Sequence, residues 1–213
     1  MCSGRKPEQY FVDVCVGGAN LLDKVTGLRI GNDNNNYIIA LLKAVQEGWI
    51  PPTTITEQEY NDIKSHKEAH SEELVGFVGF GCSFKAKFFG GYARSSKPQN
   101  FALQTSNNLL KQKPFLEGVE FKCASYEQLE IPENSIIYCD IPYQDTTKFC
   151  TKFNHTQFWT WAFEQVDKGH KVFVSEYSAP SAWECVWGKK VVTTNLGKPC
   201  ASVEKLFTLG ETR

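Results

Sequence analysis

Residues 135–149 read SIIYCDIPYQDTTKF. The run of β-branched and apolar residues predicts a buried strand at residues 136–139, which ends in the tetrapeptide Asp140, Ile141, Pro142 and Tyr143. In an open α/β sheet, ligands bind just past the carboxyl ends of the strands. The sequence therefore predicts a functional site that contains a carboxylate, a main-chain carbonyl and an aromatic ring.

These residue types suit the binding of a planar base that carries an amino group. Pro142 restricts Ile141 to an extended conformation, which fixes the direction of the Ile141 carbonyl. Asp140 adds a second acceptor, and two acceptors on one exocyclic amine keep its lone pair available for attack on an electrophile. Tyr143 offers a face for stacking. The alternative is a strand that simply ends in a proline turn.

The composition is that of an ordinary soluble protein. A chain of 213 residues, of which 41% are hydrophobic and 22% charged, predicts one domain or one domain with an inserted subdomain. The net charge of −1 excludes a basic surface over the whole molecule. Any positive charge that contacts nucleic acid must therefore be local.

The eight cysteines form no Cys-x-x-Cys pair and no metal-ligand spacing with the four histidines. This distribution predicts a reduced, intracellular protein without structural zinc, in the cytoplasm or the nucleus. No apolar run approaches the ~18 to 20 residues that span a membrane, and residues 1–9 lack the apolar core of a signal peptide. We therefore expect no membrane association.

Two short units precede the central stretch. Residues 10–16, YFVDVCV, predict a strand that is followed by Gly17, Gly18 and a helix beginning at residues 20–25. The glycine pair would let the backbone approach a ligand, or it is an ordinary turn. A second strand at residues 28–31 ends in Asn32 and Asp33, before an amphipathic helix at residues 36–46. Asp33 is placed to accept hydrogen bonds from ribose hydroxyls, or to cap that helix; both roles are compatible.

The composition changes between residues 53 and 118. Residues 55–72 are charged and helix-like, and residues 76–100 interleave glycines and phenylalanines with Lys85, Lys87 and Arg94. One interpretation is a loop-rich surface for phosphate contacts and base stacking. The other is a glycine-rich hairpin with a solvated basic edge.

The remaining sequence predicts two helices and five strands. Helices are expected at residues 105–113 and 158–166, and strands at 119–123, 171–175, 182–187, 190–194 and 202–209.

Six consecutive blocks give the chain a family resemblance between residues 8 and 209. They read FVDVCVGGANLLDKV, RIGNDNNNYIIALLKAVQEGWIPP, GFVGFGCSFKAKFFGGYAR, SIIYCDIPYQDTTKF, GHKVFVSEYSAP and VEKLFTL. In this order they resemble phage-type Dam-like DNA adenine methyltransferases, which use S-adenosylmethionine to methylate the exocyclic amine of adenine.

The resemblance implies an α/β fold with a Rossmann-like, seven-stranded class I methyltransferase sheet. A target-recognition subdomain would be inserted between the second and third strands. The implied division is residues 1–52 and 119–213 for the two parts of the methyltransferase domain, and residues 53–118 for the inserted DNA-binding region.

The resemblance also implies roles for individual residues. The target adenine, flipped out of double-stranded DNA, would be held by Asp140, Ile141, Pro142 and Tyr143. S-adenosylmethionine, which becomes S-adenosylhomocysteine, would be bound by Asp13, Gly17, Gly18, Asp33, Ser125, Tyr126 and Asp140. Phosphate contacts are expected from Lys85, Lys87 and Arg94, and no metal is expected.

The chain departs from the family pattern at several positions. Ile141 replaces a usual proline, Cys15 a usual phenylalanine and Ser125 a frequent aspartate. A Gly- and Lys-bearing segment that relatives carry before the first strand has no counterpart in residues 1–9. These departures leave open a catalytically lapsed relative that binds DNA or a partner. An enzyme that methylates adenine in RNA is a further alternative, because the motif reads the base and not the sugar.

Overall fold

The computed structural model describes residues 4–96, 99–143, 153–195 and 198–209; in the last two strands, side chains are described up to Lys190 and again from Val203. Seven strands form one sheet. They are β1 Phe11–Asp13, β2 Arg29–Asp33, β3 Val119–Cys123, β4 Ile136–Asp140, β5 Lys171–Glu176, β6 Trp183–Asn195 and β7 Lys198–Leu209.

The strand order is β3-β2-β1-β4-β5-β7-β6. The first five strands in this order pair in parallel, whereas β7 is antiparallel to both β5 and β6. The chain leaves β1 toward β2 on one side and returns at β4 on the other, so the order reverses between β1 and β4. The predicted fold class, a seven-stranded Rossmann-like α/β sheet, is confirmed.

Within the described ranges, five α-helices connect these strands: α1 Asn36–Glu47, α2 Glu57–Ser65, α3 Glu72–Gly76, α4 Phe101–Gln112 and α5 His155–Asp167. Asn35 begins α1, since its side chain accepts hydrogen bonds from the Tyr37 and Ile38 amides. Helices α1 to α4 lie between β2 and β3, and α2, α3 and α4 fall within residues 53–118, the predicted insertion. No helix in the described ranges is long and apolar enough to cross a membrane.

The core forms two layers because side chains alternate along each strand. One layer lies against α1 and includes Phe11, Phe121 and Phe173. The other lies against α5 and includes Ile137 and Val174. The α1 layer continues without a break into residues of α2 and α3, so the inserted region shares the core of the sheet.

The glycine-rich stretch differs from both predicted interpretations over its first part. Helix α3 continues directly into a π-helix at Phe77–Gly81, and a 3-10 turn follows at Phe84–Ala86. A Cβ on Gly76 would lie 2.2 Å from the Tyr37 carbonyl oxygen. The glycines are needed here for close helix packing, and the Phe77 ring is buried in the core.

Two further expectations were wrong. The helix predicted at residues 20–25 is a single 3-10 turn, Leu22–Lys24, because the chain reverses through positive φ at Gly17 and Ala19 and is extended again at Val25. The two strands predicted at residues 182–194 are one strand, β6, which absorbs an irregular residue between Cys185 and Trp187. A bulge breaks the alternation without ending the pairing.

Candidate active site

A cleft of about 730 Å³ opens at the carboxyl edge of the sheet. It lies where the strand order reverses between β1 and β4, the position at which α/β sheets bind ligands. Its walls include Val14 and Cys15 after β1, Asp33 and Asn34 at the end of β2, and Ala124 after β3. The volume suits a nucleotide-sized ligand.

The cleft brings together most of the residues predicted to bind a cofactor. Gly17, Asp33, Ser125, Tyr126 and Asp140 line it. Asp13 lies behind the wall with 3% of its surface exposed. Gly18 lines a different cleft, beside α4, and its carbonyl accepts a hydrogen bond from Gln112 at 2.9 Å.

Asp33 connects two segments of the cleft wall. One carboxylate oxygen accepts from the Gly17 amide at 3.1 Å, and the other accepts from the Asn35 amide at 3.0 Å. Asn35 in turn caps α1. The two predicted roles of Asp33 are therefore compatible. Its carboxylate supports the start of α1, and the remaining lone pairs of its oxygens can accept hydrogen bonds at the cleft.

Three carboxyl groups create an acidic environment around the cleft. Burial raises the pKa of Asp13 to about 8; the Cys15 amide acts in the opposite direction, and the charges of Asp140 and Asp33 raise the value further. Burial also raises the pKa of Asp33 and of Asp140. A positively charged ligand in the cleft would act against these shifts, because an opposite charge favours the ionised form of a carboxyl group.

The tetrapeptide from Asp140 to Tyr143 lies along the wall at the end of β4, as predicted. The Tyr143 hydroxyl is 2.9 Å from the Ser175 hydroxyl, and its ring packs edge-on against Tyr177 with centroids 4.8 Å apart. A hydrogen bond from Tyr143 lowers the pKa of Asp140, against the larger effect of burial. The end of β5 thus fixes the position of the aromatic ring.

Sequence reasoning missed two supports of the cleft. Asn32 is fully buried, and its amide nitrogen donates to the carbonyls of Val14 and Ala124 at 3.1 and 3.0 Å. It therefore ties together the ends of three strands, and its only sequence signal is a polar residue that follows an apolar run. Phe153 walls the cleft beside Tyr126, with ring centroids 6.0 Å apart; no local pattern indicates this contact.

The three residues predicted to contact phosphates lie in the inserted region, outside the lining of this cleft. Lys85 is exposed and lies over the Phe84 ring, with 5.6 Å between its nitrogen and the ring centroid. Lys87 is also exposed. Arg94 forms an ion pair with Glu57 at 2.5 Å.

No group of three or more His, Cys, Asp or Glu residues that could hold a metal ion is found among the described residues. Cys15, Cys82, Cys123, Cys139 and Cys185 are free thiols.

The strand order, the antiparallel β7 and the cleft at the strand reversal are those of the class I methyltransferase fold. The family model described as D12 class N6 adenine-specific DNA methyltransferase matches residues 80–183, a little under half of the chain. The predicted resemblance to Dam-like adenine methyltransferases is thereby confirmed. The match includes the tetrapeptide at the end of β4.

Thirty chains of solved structures also match. One is the crystal structure of tRNA (m1A58) methyltransferase TrmI from Aquifex aeolicus, at 12% identity and a TM-score of 0.39. The alignment covers 95% of this chain and 62% of that chain, so this chain spans less than two thirds of that structure's length. No curated protein matches. The fold assignment is carried by the strand order of the chain itself.

Proposed function

We propose that this protein transfers a methyl group from S-adenosylmethionine to the exocyclic amine of adenine in double-stranded DNA, which gives 6-methyladenine. The observation that supports this most is the position of Asp140, Ile141, Pro142 and Tyr143. They form one wall of an open cleft at the strand reversal, within the region that matches the adenine-specific family model.

Asp140 and the Ile141 carbonyl would accept the two hydrogen bonds of the adenine amine. Two acceptors orient the amine and leave its nitrogen lone pair directed into the cleft. Tyr143, held by Ser175 and Tyr177, would stack on the base and offset part of the few kcal/mol that unstacking from the duplex costs.

The residues of the opposite wall fit S-adenosylmethionine. Asp33 offers carboxylate oxygens for ribose hydroxyls, Tyr126 and Ser125 border a flat group, and Gly17 lies beside them without a side chain. A cationic ligand beside Asp140 on the cleft wall and Asp13 behind it would favour the charged forms of both carboxyl groups. When bound, this cofactor supplies a methyl group on a positively charged sulfur.

The test is a transfer assay with radiolabelled S-adenosylmethionine and an unmethylated adenine-containing duplex. Asp140→Asn keeps the size of the side chain and removes one acceptor, so we expect transfer to fall by a factor of ~100 or more. Asp167→Asn, at the opposite edge of the sheet, is the control and should transfer at the wild-type rate.

The same preparations are titrated with S-adenosylhomocysteine by calorimetry. Cofactor binding by the wild type without transfer to DNA or RNA would favour a catalytically lapsed relative. Preferential transfer to RNA in a competition assay would replace DNA as the substrate. Full activity of Asp140→Asn would contradict the role of Asp140.

A further inference from the structure

Strands β6 and β7 extend well beyond the end of their neighbour. The pairing of β5 with β7 ends at Glu176 and Lys205, whereas β6 and β7 remain paired from Lys189 and Glu204 to Asn195 and Lys198. We call residues 187–204 the hairpin arm. At about 3.3 Å per residue, it projects roughly 20 Å past β5, on the carboxyl edge where the cleft opens.

The hairpin arm is basic in sequence, and its described part in β6 is exposed. Every residue of β6 from Glu184 to Lys190 is exposed, and Trp187 keeps 51% of its surface accessible. The arm carries Lys189, Lys190 and Lys198 against a single acid, Glu204. A strand pair with an exposed aromatic ring and excess positive charge is typical of a surface that meets a partner.

The register assigns the side chains to two faces. Leu206 pairs with Ser175 and packs against the core layer on the α1 side. Because side chains alternate, Trp187 opposite Leu206, and Lys189 opposite Glu204, lie on this same face. Lys190, the next residue, lies on the other face.

The α1 face of the hairpin arm is also the face of the catalytic carboxylate. Asp140 pairs with Ser175, so both belong to that face of the sheet. Burial is the main cause that raises the pKa of Asp140, and the charge of Glu204 raises it further. The base of the arm is thus close to the cleft. No ion pair joins Lys189 to Glu204 in the part of the chain that the structure describes.

We infer that the hairpin arm is a second nucleic-acid contact: Trp187 and Lys189 lie along the phosphate backbone of the duplex whose adenine enters the cleft. This inference rests on the proposed function and deepens it. The inserted region, with Lys85 and Lys87, is packed on the α1 side of the sheet. The duplex would therefore be held from two sides, by the inserted region and by the arm.

Lys189 and Lys190 provide a matched pair for the test. They are adjacent, equally charged and both exposed, but they lie on opposite faces. Binding of a fluorescent adenine-containing duplex to the full chain is measured by anisotropy over a series of NaCl concentrations. Lys189→Ala should weaken binding several-fold and reduce the slope of log K against log salt by about one.

Lys190→Ala should change the slope by less than half as much, and Lys168→Ala, at the opposite edge of the sheet, should leave it unchanged. Equal effects of Lys189→Ala and Lys190→Ala, no effect of either, or no duplex binding by the wild type would overturn the inference. The inference would also be overturned if Lys189→Ala weakened binding of an RNA probe and left binding of the DNA duplex unchanged.

Methyl transfer, measured on the same proteins, separates the two proposals. If the wild type transfers methyl groups but Lys189→Ala leaves the slope of log K against log salt unchanged, the inference about the hairpin arm is wrong and the enzymatic function stands. A reduced Lys189→Ala slope without any wild-type transfer overturns the enzymatic function alone.

Discussion

Three neighbouring strands of this sheet end in an aspartate: Asp13 in β1, Asp33 in β2 and Asp140 in β4. Parallel pairing brings these strand ends to one edge, and the three carboxyl groups differ in burial. Asp33 and Asp140 line the cleft, while Asp13 lies behind it. The same residue type therefore occupies two environments: the open lining of the cleft at two positions, where we propose ligand contact, and the buried layer behind it at the third.

Asp13 makes the stability of the protein depend on pH. Its pKa is about 8 in the folded state and near 3.8 when unfolded, so between these values only the folded state holds the proton. The free energy of unfolding should therefore fall as pH rises through this window, by at most about 1.4 kcal/mol per pH unit for one proton. We expect Asp13→Asn to remove this contribution.

Urea unfolding at pH 6, 7 and 8 measures the effect. The free energy of unfolding should fall less between pH 6 and pH 8 in Asp13→Asn than in the wild type. In Asp167→Asn it should fall as much as in the wild type. Parallel curves for the wild type and Asp13→Asn would show that Asp13 releases its proton at ordinary pH in the folded protein.

At the scale of elements, the packing of residues 53–118 on the sheet domain depends on a close approach between α3 and α1. Helix α3 contacts α1 through Gly76, where the backbone of Tyr37 fills the space that a side chain would need. The π-helix begins at the next residue, Phe77, whose ring is fully buried. The composition of residues 76–100 suggested a loop throughout, but the first part, up to Gly81, is helical, and Gly76 permits the close contact with α1.

Gly76→Ala should destabilise the protein by about 1 to 3 kcal/mol, because the added Cβ meets backbone, which cannot rotate away. Gly188→Ala is the control: its Cβ would meet ordinary contacts at 3.5 Å or more, so we expect a change within about 0.5 kcal/mol. Urea unfolding of both variants gives the comparison. A loss for Gly76→Ala no larger than that for Gly188→Ala would contradict the close approach.

At the scale of the whole molecule, ligand binding in the cleft should stabilise the fold. The cleft joins the ends of β1, β2, β3 and β4, so a ligand there binds only the folded chain. S-adenosylhomocysteine at a hundredfold excess over its Kd should add about 2.7 kcal/mol. For a chain of this size, this raises Tm by roughly 5 to 10 °C.

Scanning calorimetry with and without S-adenosylhomocysteine measures the shift. Adenosine at the same concentration is the matched ligand control and should give a smaller increase, since it lacks the charged amino-acid part. An unchanged Tm at millimolar S-adenosylhomocysteine would exclude this cleft as its site.

The sequence by itself determined the five parallel strands, the residues at their carboxyl ends, the helix at residues 36–46 and the α/β class. These features depend on local periodicity and on turn chemistry, both of which are set by residues close together in the sequence. The tetrapeptide Asp140 to Tyr143 was predicted in this way, as were Gly17 and Asp33, whereas Ser125 and Tyr126 were implied only by the family resemblance. All of them line the cleft.

Only the tertiary structure decided which strand ends meet, how deeply Asp13 is buried, and that β6 is one strand that continues into a projecting arm. It also decided that Asn32 ties three strand ends together and that Gly76 is a helix contact. The physical reason is that burial, strand register and the close approach of helices are set by contacts between residues distant in the chain. A local sequence pattern does not contain this information.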